Sequence, residues 1–154
     1  GRNCGYLAMM AGLAGGAEVI STPEFEVSAA DIAKLLRAAY ERGKTHAIVV
    51  IAKGVKENAA RILEYFNSNG GMGGFELRAT VLGHVVRGAP PTAFDRLLAT
   101  RLGVAALTSL AEGVSGVLIG EQRGEITRTP LAEIAGRTKP ISTGLIDLAR
   151  VLAQ

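Results

Sequence analysis

The run "HAIVVIA", residues 46 to 52, constrains the fold most strongly. It is apolar and rich in β-branched side chains, with no polar residue at alternate positions. A strand with one wet face alternates; a strand covered on both faces reads as an unbroken apolar run, the signature of a parallel sheet between helices. Helical spacing flanks it on both sides. Ile32, Leu35, Leu36, Ala39 and Tyr40 precede it, and Val55, Ala59, Ile62, Leu63 and Phe66 follow it. The expected class is α/β, a layered α/β/α domain with a mainly parallel sheet, formed as a single domain over 1–154.

Other segments fit this alternation. Gly5 to Ala14 reads as a helix with Leu7, Met10, Ala11 and Ala14 on one face, stopped by Gly15-Gly16. Ala17 to Ser21 reads as a short strand ended by Pro23. Ser28 with Asp31, and Thr92 with Asp95, have capping-box spacing. Gly43 closes the helix begun at Ser28. "FELRATVL" reads as a strand reaching His84, and Phe94, Leu97, Leu98, Leu102 and Ala105 mark the helix after Thr92. "SGVLIG" and "EITRT" read as strands around a turn at Gly124, Pro130 as a helix start, and Gly144 to Ala153 as a last helix. "NGGMGGF" reads as a loop; a phosphate loop would need a strand feeding it and a helix opening from it. The polar, glycine-rich opening "GRNCGYLA" reads as the interior of a longer chain.

Composition narrows the function. The chain has 154 residues and a formal charge of +3, with its arginines scattered rather than striped. No basic patch with interleaved aromatics marks a nucleic-acid binder. No apolar run is long enough to span a bilayer, and no signal peptide is visible. A lone Cys4 leaves no internal disulfide and fits a reducing cytoplasm. Cys4, His46 and His84 lack metal-ligand spacing, and no nucleophile elbow occurs.

The residues with chemistry cluster around "VLGHVVRGAP". Arg78, His84 and Arg87 surround the end of one apolar segment. In open α/β sheets ligands bind beyond the strand C-termini, and forked guanidinium groups match phosphate oxygens. Two arginines and a histidine there read in one way as a phosphate clamp. The competing reading has His84 packed on a turn carbonyl and both arginines solvated. Glu24 and Glu26 read as a carboxylate pair or a solvated loop edge. Asp95 is explained by capping, His46 as a structural residue opening a strand, and Met9-Met10 as core filler.

"GRNCGYLAMMAGLAGGAE" and "RATVLGHVVRGAPPTAFDRLLATRLG" resemble the C-terminal half of 6-phosphofructokinase, a glycolytic phosphotransferase. The resemblance runs in order along essentially the whole chain. It implies the half of a two-domain enzyme that binds fructose 6-phosphate. By that resemblance His84 and Arg87 hold the sugar phosphate, and Arg78 reaches the site of a neighbouring subunit. Arg2 stabilises charge on the transferring phosphoryl group. Gly16, Glu18, Arg42 and Lys44 match segments of a nucleotide effector site at a subunit interface of an allosteric enzyme. The parent is expected to be a cytoplasmic homo-oligomer, a dimer or tetramer, using Mg2+ and either ATP or pyrophosphate as donor.

The chain also departs from the pattern. Lys53 stands where the family has a Glu that accepts sugar hydroxyls; lysine has donors only. Val86 replaces Gln or Leu. Ala89 replaces a glycine, which is costly only if φ there is positive. The family's Met before "GR", its donor-binding glycine-rich segment with a magnesium-binding Asp, and its "TID"-type catalytic segment are not among these residues. The nucleotide-binding half is therefore expected to be absent, and the chain alone to transfer no phosphate. A second class of function also fits the departures: a non-catalytic regulatory or assembly paralog that kept the fold and the effector site.

Overall fold

Residues 2–69, 76–138 and 140–152 are described in the computed structural model. They divide into two units, Gly1–Val81 with Thr138–Gln154, and Leu82–Arg137.

In the first unit, β1 (Val19–Ser21) and β2 (Val49–Ile51) pair in parallel, Val19 opposite Val49 and Ser21 opposite Ile51. β2 lies inside the 46–52 run that predicted it. Alternation along the strands creates two apolar faces. Val19, Val49 and Ile51 pack against α2 (Ala29–Glu41) and α3 (Ala59–Ser68), through Ile32, Ala33, Leu36, Ile62 and Phe66. Ile20 faces the other way, into a cluster with Met9 of α1 (Tyr6–Ala14) and Ile146 of α6 (Thr143–Leu152). The order helix, sheet, helix is the expected α/β/α layering. Ile32 is fully buried, and burying such a side chain contributes about 1.5–3 kcal/mol.

Local chemistry sets the helix ends. Ser28 Oγ accepts the Asp31 N–H at 3.1 Å and starts α2. Gly43, at φ +87°, closes it, with its N–H donating to the Tyr40 carbonyl at 2.8 Å. Asn58 starts α3 by accepting the N–H groups of Ala60 and Arg61, both at 3.1 Å. The helix thus begins after Val55, which is buried in the preceding turn. In α1 the buried residues are Met9 and Gly12, while Leu7 and Met10 of the expected face are exposed. A helix apolar nearly all round offers no periodic signal for choosing a face.

"FELRATVL" is not a strand over its described residues, 76–82. A strand exists through its ladder, and among the described residues nothing pairs with it. Only Leu77 packs on the core, while Glu76 and Arg78 bond each other. Residues 70–75 of the glycine loop lie outside the described residues.

The second unit contains a 3-10 turn (Gly83–Arg87), α4 (Ala93–Ala111), the antiparallel hairpin β3 (Val117–Gln122) and β4 (Glu125–Pro130), and α5 (Leu131–Ile134). Leu98, Leu102, Ala105 and Ser109 form the more buried stripe of α4; Phe94 and Leu97 are exposed. The Ser109 hydroxyl is satisfied within the helix by the Ala105 carbonyl at 2.7 Å. The expected hairpin turn is present, with Gln122 opposite Glu125. Pro130 both ends β4 and caps α5.

Candidate functional site

The parallel pair has two ends, and the candidate residues of the first unit sort between them. A three-residue strand spans about 10 Å, so the groups are well separated.

At the N-terminal end stand Gly16, Glu18, Arg42 and Lys44. Glu18 lies just before β1, and its backbone N–H donates to the Ile48 carbonyl at 3.0 Å. Its carboxylate is largely enclosed, with 9% of the side chain exposed. Lys44 Nζ lies 3.0 Å from Oε1, and the Ile48 N–H donates to Oε2 at 2.7 Å. Burial pushes the Glu18 carboxyl upward. The hydrogen bonds from Ile48 and Lys44, with the lysine charge, outweigh burial and hold it below the usual value. Arg42 caps the end of α2 and is exposed, and Gly16 follows α1 in the left-handed region at φ +66°. The expected effector residues thus share one end of the sheet, and Glu18 and Lys44 are in direct contact.

At the C-terminal end stand Arg2 and Lys53. The Arg2 carbonyl is seated on Gly54, where a Cβ would overlap it. This close approach requires glycine and fixes the Arg2 backbone beside Lys53. Both side chains are exposed. The loops leaving β1 and β2 are stapled by carboxylates: Glu24 to Gly5 N–H at 3.1 Å, Glu26 to Lys56 N–H at 3.3 Å, and Glu57 to Ala29 N–H at 2.6 Å. Glu24 and Glu26 are therefore neither a facing acid–base pair nor merely solvated. Glu57 carries no signal in the sequence, because it acts across 28 residues and no local spacing marks it.

The residues expected to form a phosphate clamp are divided between the units. Arg78, in the first, forks onto Glu76 at 3.0 and 3.2 Å, with both side chains highly exposed. Such an exposed pair contributes little and yields readily to a stronger anion. His84, in the second, sits in the 3-10 turn and is exposed rather than packed. Arg87 ends that turn one 3-10 period later, and its side chain lies outside the described residues. Ala89 is not strained: Arg123 is the one non-glycine residue at positive φ among those described, and Gly88 takes the left-handed position at φ +86°.

Asp95 is a cap. Its Oδ2 accepts the Thr92 N–H at 2.8 Å and hydroxyl at 2.7 Å, while Thr92 Oγ1 accepts the Asp95 N–H at 3.3 Å. The Thr92 bonds hold its carboxyl below the usual range. His46 is exposed and precedes β2 instead of opening it. Among the described residues no group of His, Cys, Asp or Glu side chains is placed to hold a metal ion, and no helix is long and apolar enough to cross a membrane.

A parallel strand pair between helix layers, with Arg2 and Lys53 beyond its C-terminal end, places the chain in the α/β class. The phosphofructokinase family model matches residues 1–110, and the chain belongs to the phosphofructokinase family. It is 47% identical over 154 residues to ATP-dependent 6-phosphofructokinase 1 of Thermus thermophilus, covering 99% of this chain and 47% of that protein. It is 40% identical over 153 residues to the ATP-dependent 6-phosphofructokinase of Clostridioides difficile, with the same coverage. The chain spans about half the length of these relatives. Among solved structures, the phosphofructokinase of Saccharomyces cerevisiae matches with a TM-score of 0.74 at 31% identity, over 99% of this chain and 22% of that one. The T-state phosphofructokinase of Pichia pastoris matches with a TM-score of 0.73 at 28% identity, over 99% and 18%.

Proposed function

We propose that this chain is the fructose 6-phosphate-binding part of a cytoplasmic, homo-oligomeric 6-phosphofructokinase. The parent transfers a phosphoryl group to the 1-hydroxyl of the sugar. The relatives' names specify ATP, which makes ATP the donor we favour over pyrophosphate. The observation that carries the reading is the 47% identity to a 6-phosphofructokinase over 99% of the chain.

In this reading His84 and Arg87 clamp the sugar phosphate, and Arg78 exchanges Glu76 for a phosphate across a subunit boundary. Lys53 lies at the sugar, where it donates rather than accepts. Arg2 steadies charge on the transferring group; phosphoryl transfer is mostly positioning plus such electrostatic stabilisation. The parent's Mg2+ would be held mostly by residues outside this chain; among the described residues no group of His, Cys, Asp or Glu is placed to hold a metal ion. Gly16, Glu18, Arg42 and Lys44 form the proposed effector site.

The test is to express the longer reading frame that carries this segment and assay fructose 6-phosphate phosphorylation with ATP and with pyrophosphate. Turnover with either supports the reading and names the donor. Arg87→Ala should then raise KM for fructose 6-phosphate with little change in kcat; an unchanged KM would remove Arg87 from the clamp. A folded but inert protein favours the second reading, a regulatory or assembly paralog. The donor-only side chain of Lys53 is the observation behind it, and Lys53→Glu is the reversion that should restore turnover.

A further inference from the structure

We infer that Glu24 is a positioning residue for Arg2. The inference rests on the proposed role of Arg2 at the transferring phosphoryl group.

The N-cap residue of α1, Gly5, brings no side-chain cap of its own. Its N–H instead donates to both carboxylate oxygens of Glu24, each at 3.1 Å, from 19 residues away. A carboxylate at a helix N-terminus also complements the helix dipole. Gly5 is pressed against Thr22, whose side chain occupies the space a Cβ would need. Thr22 is fully buried and cannot yield.

The turn carrying Glu24 is itself held. Thr22 and Phe25 exchange backbone hydrogen bonds at 3.1 and 3.0 Å, and Thr22 Oγ1 accepts the Phe25 N–H at 3.2 Å. The far end of the entering segment is seated where the Arg2 carbonyl meets Gly54. Segment 2–5 is therefore fixed at both ends, by the loop after β1 and by the loop after β2. Glu24 supplies the acceptor for the Gly5 N–H at that helix end. Without it Gly5 keeps a steric seat but loses its directional bond, and Arg2 loses its register over the C-terminal end of the sheet.

The test compares Glu24→Ala with Glu24→Gln, which keeps one neutral acceptor. Hydrogen exchange on the chain should show protection lost over residues 2–9 in Glu24→Ala, unchanged over α2, and partly restored in Glu24→Gln. In the longer enzyme, kcat for Glu24→Ala should fall about ten-fold or more while KM for fructose 6-phosphate changes little, as expected for a misplaced catalytic group. Three results overturn the inference: unchanged protection over residues 2–9, protection lost equally over α2, or an unaffected kcat. A wild-type enzyme inert with both donors overturns the underlying reading and this inference with it, a result distinct from an active enzyme indifferent to Glu24.

Discussion

Lys44 Nζ lies 3.0 Å from Oε1 of Glu18, a carboxylate with 9% of its side chain exposed. The pair joins the residue before β1 to the segment after α2, and the Ile48 N–H completes the coordination of Glu18. It stands at the end of the sheet opposite Arg2 and Lys53.

Its titration gives a pH prediction. The folded Glu18 carboxyl sits below its ordinary value, so folding binds fewer protons there. Its contribution is present above the unfolded glutamate pKa of about 4.3 and is lost as pH falls through the lower folded value. Glu18→Ala should remove the hydrogen bond from Ile48, and because water reaches the freed Ile48 N–H the cost should be about 0.5–1.5 kcal/mol near neutral pH. The difference between variant and wild type should shrink in acid, as read from urea midpoints across pH.

Gly54→Ala places a Cβ on the Arg2 carbonyl. Overpacking of this kind costs about 1–3 kcal/mol. If the entering segment is displaced to relieve it, activity of the longer enzyme should fall at nearly unchanged sugar affinity. Thermal unfolding and steady-state kinetics on the same variant check both effects.

Ile32 and Phe66 belong to one cluster between the sheet and its helices. Ile32→Ala should destabilise the chain by about 2–5 kcal/mol and Phe66→Ala by about 3–5 kcal/mol. Both should lower the unfolding midpoint in urea. Leu7→Ala, on the exposed side of α1, should change it far less.

Thr92→Ala removes the cap of α4 and should cost about 1 kcal/mol, with Thr92→Ser near wild type. Asp95→Asn tests whether the same residue has a chemical role. Because Asp95 is committed to Thr92, turnover in the longer enzyme should be nearly unchanged.

Local signals were legible wherever neighbouring residues satisfy each other. Thr92 with Asp95 forms the full expected capping box, Ser28 caps α2 through the Asp31 N–H without the reciprocal backbone bond, Gly43 closes α2, and the hairpin turns at Gly124. The 46–52 run announced a doubly covered strand, since two apolar faces leave no room for alternation. "FELRATVL" failed because propensity cannot supply a ladder, and a strand without hydrogen-bonding partners is only extended chain.

The residue types of the candidate site, and the family they resemble, were open to inspection in the linear chain. Which residues meet was not. The Glu24–Gly5 staple, the Arg2–Gly54 seat and the Glu57–Ala29 bond each join distant segments, and no periodicity encodes such a meeting. Parallel pairing of β1 with β2 decides it. By aligning the strands in one direction, it gathers Arg2 and Lys53 at one end and Glu18 and Lys44 at the other. Short-range hydrogen bonding and burial periodicity are properties of the chain; the juxtaposition of charges is a property of how its segments are stacked.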